Sequence, residues 1–143
     1  MPGAVRVRAF QRRDQDAVVA LWVACELTRP WNDPAADIER KLADSPTLFL
    51  VAEQDGAVVG SVMAGYDGHR GWINYLAVHP AHRRGGLGRA LMDAAEARLA
   101  ALGCAKINLQ VRDDNELARG FYEAIGYRLD AVVSFGKRLL SDE

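Results

Sequence analysis

The stretch HPAHRRGGLGRALM, residues 79–92, has a composition that an ordinary connector avoids. It places three arginines and three glycines in and around the start of a run of good helix formers. Glycine weakens a helix and neighbouring arginines repel one another, so stability alone does not account for either residue here. The composition therefore indicates that this turn between a strand and a helix has a binding role.

A glycine-rich turn at the start of a helix is well suited to binding an anion. The first backbone N–H groups of a helix have no partner within it, and the helix dipole adds about half a positive charge there. Glycine lets the backbone approach phosphate oxygens without an intervening Cβ atom, and arginine adds charge-assisted donors. We therefore expect residues 83–89 to bind a phosphate-containing ligand.

Two common phosphate-binding motifs do not fit the stretch. A Walker loop requires Gly-Lys-Ser/Thr, whereas Gly88 is followed by Arg89. A dinucleotide fingerprint requires a further glycine three residues after Gly88, where Leu91 stands. What remains is the pattern Arg83-x-x-Gly86-x-Gly88, preceded by a predicted strand.

The rest of the chain alternates strand and helix patterns that we assign to one domain, residues 1–143. Apolar alternation between turn residues predicts strands, whereas Asp or Asn caps, a 3.6-residue apolar period and terminal glycines predict helices. Strands are predicted at 5–10, 47–53, 57–66, 72–78 and 106–111, helices after Asp14, Asp33, Gly86 and Asn115, and one or two closing strands after Tyr127. The order β-α-α-β-β-β-α-β-α-β(-β) predicts a mixed α/β (α+β) sheet in which strands 72–78 and 106–111 are parallel neighbours.

Composition and charge exclude several classes of function. A net charge of −1 leaves no basic surplus for nucleic acid, and the longest apolar run, residues 17–25, is far shorter than the ~20 residues of a membrane span. Cys25 and Cys104 lack CxxC or metal spacing, and His69 and His79 lack a ligand partner, so no metal is expected. We expect a cytoplasmic protein with no nucleic-acid or membrane partner.

Two blocks resemble the signatures of the GNAT acyl-CoA N-acyltransferases. Arg83-x-x-Gly86-x-Gly88 looks like their Gln/Arg-x-x-Gly-x-Gly/Ala pyrophosphate motif, and DNELARGFYEAIGY (114–127) looks like their Asn-x-x-Ala-x-x-Phe-Tyr-x-x-x-Gly-Tyr helix. The element order is similar over the whole chain, from Val5 to Leu139. LTRPWNDPAADIERK and AGYDGHRG are similar to segments of small bacterial acetyltransferases of the YpeA type.

The resemblance implies the GNAT fold with splayed parallel central strands, and acetyl-CoA as the co-substrate. The backbone of the strand before the turn would pair with the pantetheine arm, a backbone N–H there would polarise the thioester carbonyl, and the turn would hold the pyrophosphate. The residues that the resemblance assigns to acetyl-CoA are Leu76, Ala77, Val78, Arg83, Arg84, Gly85, Gly86, Leu87, Gly88, Arg89 and Asn115. Asn115 can equally serve as a plain helix N-cap.

The resemblance also implies roles for residues outside the cofactor site. It makes Tyr122 the catalytic acid that protonates the departing thiolate. It places the acceptor near the connector between the first two helices, so the candidate substrate-binding residues are Arg29, Trp31, Asn32 and Tyr75. Packing by Trp31 and helix capping by Asp33 are the competing structural interpretations.

The general base is not evident from the sequence. Trp72 and Gln110 stand where the family often has a glutamate. Deprotonating a lysine-like amine of pKa ~10.4 at neutral pH costs about 4.6 kcal/mol, whereas an α-amino group of pKa ~8 costs about 1.4 kcal/mol. We therefore predict either an acceptor amine of low pKa or deprotonation through water, with four candidate residues: Tyr75, Asp67, His69 and Glu53.

The resemblance therefore implies an N-acetyltransferase that transfers acetyl from acetyl-CoA to a primary amine of a small molecule or peptide, by direct attack in a ternary complex. The alternative is a non-catalytic acyl-CoA-binding domain that acts as a sensor or interaction module. A thiol-release assay across a panel of amines separates the two. A final strand after Tyr127 could also pair across a homodimer.

Overall fold

The computed structural model describes residues 3–83 and 85–140. Within those residues, five strands form one sheet in the order β1-β2-β3-β4-β5, accompanied by four α-helices. The elements are β1 (Val5–Ala9), α1 (Gln15–Ala24), α2 (Pro34–Asp44), β2 (Phe49–Gln54), β3 (Ala57–Tyr66), β4 (Gly71–Val78), α3 (Leu87–Ala101), β5 (Ile107–Leu109) and α4 (Glu116–Ala124). No helix of the described part is long and apolar enough to cross a membrane.

Local signals positioned most of these elements correctly. Asp33 caps α2 by accepting a hydrogen bond from the Ala36 N–H (3.1 Å). The β2–β3 hairpin turns at Asp55 and Gly56, both at positive φ (53° and 80°), as a two-residue turn of this type requires. Gly126 follows α4 at φ 103°, the left-handed conformation that commonly ends a helix.

Asp14 precedes α1, but the prediction that its side chain caps the helix is wrong. Its carboxylate instead accepts two hydrogen bonds from the Arg8 guanidinium (2.8 and 3.0 Å) and one from the Gln11 N–H (2.8 Å). Hydrogen bonding to Arg8 is the main reason that the pKa of Asp14 lies below its ordinary value. An unpaired guanidinium that is nearly buried would cost more free energy than an exposed helix start without a side-chain cap. The carboxylate therefore pairs with Arg8.

The helices cover both faces of the sheet. Strands β1 to β4 are antiparallel neighbours, whereas β4 and β5 are parallel, as the β-α-β order predicts. Against one face, α1 and α2 bury Trp22 and Ile38 on Phe49. Against the other face, α3 buries Leu91 and Leu99 in a second core. The region between β4 and β5 is therefore flanked by helices on both sides.

The predicted closing strands after Tyr127 are not formed. The tail, defined as residues 128–140, has no assigned strand, and Leu129, Val133 and Phe135 are 86%, 80% and 94% exposed. These apolar positions suggested a strand, but a strand also needs a neighbouring backbone with which to form a ladder. Within the described residues no strand forms a backbone ladder with the tail.

Candidate functional site

The two parallel strands separate after a short paired segment. Gly71 pairs with Ile107, and the last partners are Ile73 and Leu109. β4 continues to Val78, whereas β5 ends at Leu109, so the β5-facing edge of residues 74–78 has no strand partner in the sheet. The expected splay of the central strands is confirmed, and it leaves a gap at the carboxyl end of β4.

A β-bulge in β4 lies at the point where this gap begins. Met63 pairs with Asn74 and Ser61 pairs with Ala77, so β4 contains one more residue than β3 over this interval. Within the bulge, Tyr75 has φ 51°, a left-handed conformation that is uncommon for a bulky residue. A bulge of this kind redirects side chains, and bulges of this kind are enriched beside active sites.

A buried network holds the bulge in place. The fully buried Ser61 hydroxyl donates to the Tyr75 carbonyl (3.0 Å) and accepts from the indole N–H of Trp22 (2.9 Å). The Trp22 ring stacks on the Tyr75 ring, with centroids 3.8 Å apart and an interplanar angle of 11°. Packing from α1 and β3 therefore offsets the backbone strain at Tyr75.

The phenol of Tyr75 reaches a carboxylate on α2. Its hydroxyl donates to Asp37 Oδ2 at 2.6 Å in a partly buried position, while Asp37 Oδ1 accepts from Arg40 at 2.6 Å. Asp37 was not among the residues selected from the sequence. The sequence signal that could have identified it is its place one helical turn after Asp33, the cap of α2.

The glycine-rich turn forms the start of α3. Gly86 is the N-cap residue at φ 78°, and the Ala90 N–H closes the first turn on the Gly86 carbonyl (3.0 Å). The amides of residues 87–89 therefore point away from the helix body, as the anion-site interpretation requires. A Cβ atom on Gly88 would lie 3.1 Å from the Phe121 ring, so this glycine lets α4 pack closely against the turn.

The arginines of the turn differ in their surroundings. Arg83 Nε donates to the Val78 carbonyl (3.1 Å), which also accepts from Cys25 Sγ (3.3 Å). That carbonyl is therefore already used within the chain. Arg89 is exposed at the start of α3, as are Gly85 and Gly86, and Arg84 lies outside the described residues.

The second signature block forms α4. Asn115 Oδ1 accepts from the Ala118 N–H (3.1 Å), so its capping role is confirmed and its contact with a cofactor stays a prediction. Burial raises the pKa of Tyr122 to about 12. The ring contacts Phe121 and Tyr127 edge to face, and it lines a cavity between β5 and the tail.

The connector between α1 and α2 contains three of the predicted acceptor-binding residues. The Arg29 guanidinium folds back onto the Glu26 and Thr28 carbonyls (2.7 and 3.1 Å). Trp31 is 40% exposed, and the Asn32 N–H closes a turn on the Arg29 carbonyl (2.9 Å). Trp31 is therefore available as an apolar wall, whereas Arg29 stabilises its own loop.

Two of the four candidate bases have structural roles instead. Glu53 forms an ion pair with Arg8 (2.7 Å) at the β1–β2 pairing. Asp67 accepts from two backbone N–H groups of its turn, and these bonds lower its pKa to about 2. The Trp72 indole donates to the same carboxylate (3.2 Å), and His69 is exposed in that turn. Tyr75, bonded to Asp37, remains as the candidate nearest the gap.

Comparison with known proteins identifies the family. Residues 16–127 match the model of the acetyltransferase (GNAT) family. The chain belongs to the GNAT acetyltransferase family. An acetyltransferase of Yersinia enterocolitica is 51% identical to this GNAT acetyltransferase over 139 residues, which cover 97% of this chain and 99% of that protein.

Solved structures of acetyltransferases share the fold. The ribosomal-protein-alanine N-acetyltransferase of Brucella melitensis is 26% identical, with a TM-score of 0.75 over 95% of this GNAT acetyltransferase and 99% of that chain. The aminoglycoside N-acetyltransferase AAC(6')-Iy, in complex with a CoA bisubstrate analogue, has a TM-score of 0.78 at 19% identity, covering 95% of this chain and 99% of its own. The predicted fold class and enzyme class are therefore confirmed.

Proposed function

We propose that this GNAT acetyltransferase binds acetyl-CoA in the gap between β4 and β5 and transfers the acetyl group to a primary amine. One observation carries the proposal: the unpaired strand edge, the bulge at Tyr75 and the amides of the α3 turn all lie in one stretch of the chain, from β4 to the first turn of α3. An extended ligand with an anionic end could therefore contact all three.

The residues of the gap fit the chemistry of acetyl-CoA. The pantetheine arm is a chain of amides, and the free edge of residues 74–78 offers backbone donors and acceptors as a neighbouring strand would. The diphosphate is an anion, and it suits the amides of 87–89 and the exposed guanidinium of Arg89. When bound, acetyl-CoA supplies the activated acetyl group.

The Tyr75–Asp37 pair is proposed to receive the proton of the acceptor amine. The amine nitrogen forms a bond to the carbonyl carbon, the carbon–sulfur bond breaks, and the amine loses one proton as the thiol leaves. Tyr75 takes that proton at its hydroxyl oxygen while its own proton moves to Asp37 Oδ2, 2.6 Å away. This geometry replaces the glutamate that is missing at positions 72 and 110.

Tyr122 is proposed to donate a proton to the departing sulfur. Since burial raises its pKa to about 12, its hydroxyl remains protonated across the neutral range. A Tyr122→Phe variant should lower kcat with little change in the KM for acetyl-CoA. The pH dependence of kcat below about pH 10 should be unchanged, because Tyr122 does not titrate there. An unchanged kcat would remove Tyr122 from the reaction.

The decisive experiment measures thiol release from acetyl-CoA with the purified protein. The amine panel should contain an alanine N-terminal peptide and an aminoglycoside, the acceptor classes named for its structural neighbours, together with simple lysine. We expect amine-dependent thiol release with at least one acceptor. Binding of CoA without release would favour the acyl-CoA sensor, and no heat of CoA binding in calorimetry would overturn both functions.

The remaining proposals concern metal and compartment. No metal takes part in the proposed reaction, and within residues 3–83 and 85–140 no group of three potential ligands is placed to hold one. Full activity after treatment with a chelator is the expected result. The cytoplasm is the proposed compartment, which the two free cysteines, Cys25 and Cys104, support.

A further inference from the structure

Lys41 on α2 is a half-buried cation whose hydrogen-bond acceptors are not carboxylates. Its Nζ donates to the backbone carbonyl of Ala64 on β3 and to Ser45 Oγ (2.8 Å). The Ser45 hydroxyl in turn donates to Asp44 Oδ2 (2.8 Å). Burial is the main reason that the pKa of Lys41 lies below its ordinary value. The cation is therefore held against the sheet in spite of the loss of its hydration.

Stability alone does not account for a lysine at position 41. A half-buried charge loses hydration, and an apolar side chain of similar volume often gives a protein of equal or greater stability. Methionine is unbranched and nearly as long, so it would pack on the same strand without that loss. What lysine adds is direction, because its N–H groups must point at particular oxygen atoms.

The carbonyl that Lys41 contacts lies close to the candidate site. The β2–β3 ladder does not extend to Ala64, so this residue has no partner on β2. On its other side Ala64 pairs with Ile73, which precedes Tyr75 by two residues. A Cβ atom on Gly65 would lie 3.6 Å from Lys41 Nζ, so the ammonium lies directly against the β3 backbone. Lys41 thus reaches the sheet beside the start of the β4 bulge.

Lys41 and Asp37 connect α2 to two neighbouring strands. Residues four apart on a helix lie one turn apart on the same face. Asp37 accepts from the Tyr75 hydroxyl on β4 (2.6 Å), and Lys41 donates to β3 one turn later. Ile38 is fully buried and holds the helix against the core, but an apolar contact has no preferred direction. The two polar contacts therefore fix the rotation and the axial position of α2.

We propose that Lys41 is a positioning residue, which holds α2 so that Asp37 stays within hydrogen-bond distance of Tyr75 during the reaction. This inference rests on the proposed function, in which Tyr75 and Asp37 receive the proton of the acceptor amine. The Tyr75–Asp37 bond changes as that proton moves, so it is poorly suited to keep the helix in place. The contact between Lys41 and Ala64 takes no part in the transfer. A displacement of about 1 Å can cost ~100-fold in rate.

The first test compares Lys41→Met with Lys106→Met by thiol release from acetyl-CoA. Lys41→Met removes both hydrogen bonds and keeps an unbranched side chain of similar length. Its kcat should fall about tenfold with the KM for acetyl-CoA unchanged, because the lost contact acts on the proton acceptor. Lys106→Met makes the same substitution at a lysine that precedes β5 and pairs with Asp130 (3.0 Å), and it should retain the parental kcat.

A double-mutant cycle separates a positioning role from a general loss of stability. In the Asp37→Asn background, Lys41→Met should have no further effect on kcat, because no carboxylate is left to position. A residue that only stabilises the fold would lower kcat by the same factor in both backgrounds. Parental kcat in Lys41→Met, or a tenfold loss that persists in the Asp37→Asn background, would overturn the proposal.

Hydrogen exchange tests the same contact without turnover. Amides of residues 38–44 should exchange about tenfold faster in Lys41→Met than in the unmodified chain, whereas Lys106→Met should leave their rates unchanged. Unchanged rates in a folded Lys41→Met variant contradict the inference. If Lys41→Met does not fold, Lys41→Gln, which removes the cation but keeps a polar side chain, replaces it in every measurement. If the unmodified chain releases no thiol with any amine, the proposed function fails, and hydrogen exchange alone decides whether Lys41 holds α2.

Discussion

Two segments of the site depart from regular backbone geometry, and they do so by opposite means. At the bulge, Tyr75 adopts φ 51° with a large side chain, and Trp22, Ser61 and Asp37 all contact it. At the turn, Gly86 adopts φ 78°, and a Cβ atom added there would meet nothing within 4 Å. Contacts from other elements therefore stabilise the left-handed backbone at the bulge, whereas the left-handed glycine at the turn requires no such contacts.

The difference follows from what each segment contributes. The turn presents backbone amides to an anion, so glycine provides the left-handed conformation without strain. The bulge presents a phenol, so a side chain is required, and the strain must be offset by packing from other elements. We therefore expect substitutions at the bulge to act on chemistry and stability, and those at the turn to act on cofactor binding.

The largest expected effect is on catalysis at the bulge. Tyr75→Phe keeps the stacked ring but removes the hydroxyl, and Asp37→Asn removes its proton acceptor. Each should lower kcat about 100-fold, typical for loss of a general base, with little change in the KM for acetyl-CoA. The control is Arg12→Ala, which breaks the exposed Arg12–Glu39 ion pair on the same helix and does not involve Asp37. If Arg12→Ala reduces kcat equally, the loss is a general effect on α2 and the Tyr75–Asp37 pair does not act as the base.

The next effect is on the support of the bulge. Ser61→Ala leaves the buried Trp22 N–H and the Tyr75 carbonyl without their partner and should reduce the free energy of unfolding by about 1–3 kcal/mol. Urea denaturation measures this change. Ser134→Ala, which removes an exposed hydroxyl, should be close to neutral. Equal stability of the two variants would show that the network is not what holds the bulge.

At the turn, the expected effect is smaller and falls on binding. A β-branched residue in the left-handed region costs roughly 1–2 kcal/mol, so Gly86→Val should displace the turn and its amides. The Kd for CoA should rise about tenfold, which corresponds to 1.4 kcal/mol. Calorimetry measures the Kd directly. An unchanged Kd would show that the amides of 87–89 do not bind the diphosphate.

The smallest expected effect comes from a glycine outside both segments. Gly120 lies inside α4, and a Cβ atom added there would meet nothing within 4 Å. Gly120→Ala should therefore increase the free energy of unfolding by about 0.5–1 kcal/mol and leave the Kd for CoA unchanged. Thermal denaturation measures the change in stability. A weaker CoA affinity in this variant would mean that α4 transmits strain to the turn.

Signals that span a few residues predicted much of the fold. The caps Asp33 and Asn115, the Asp55–Gly56 hairpin and the turn at Gly86 each depend on residues that are close in sequence. Their chemistry selects a backbone conformation directly, so it can be read without tertiary contacts. The prediction that β4 and β5 splay apart came from the family resemblance.

Contacts between distant residues were beyond that kind of prediction. Asp14 stands at a good capping position, yet its carboxylate pairs with the guanidinium of Arg8 instead. Glu53 and Asp67 looked like candidate bases because a free carboxylate can accept a proton, but an ion pair and a turn use them. Asp37, 38 residues from Tyr75, was missed for the same reason.

By itself, the sequence determined the order of the elements from β1 to α4, their boundaries to within a few residues, and the site of the glycine turn. Those properties depend on propensity, periodicity and capping, which act between neighbours along the chain. Only the tertiary structure decided which carboxylate meets Tyr75, what supports the bulge, and that the tail lies beside β5 without a ladder. These outcomes depend on competition among distant partners for burial and hydrogen bonds, and a chain resolves that competition only when it folds.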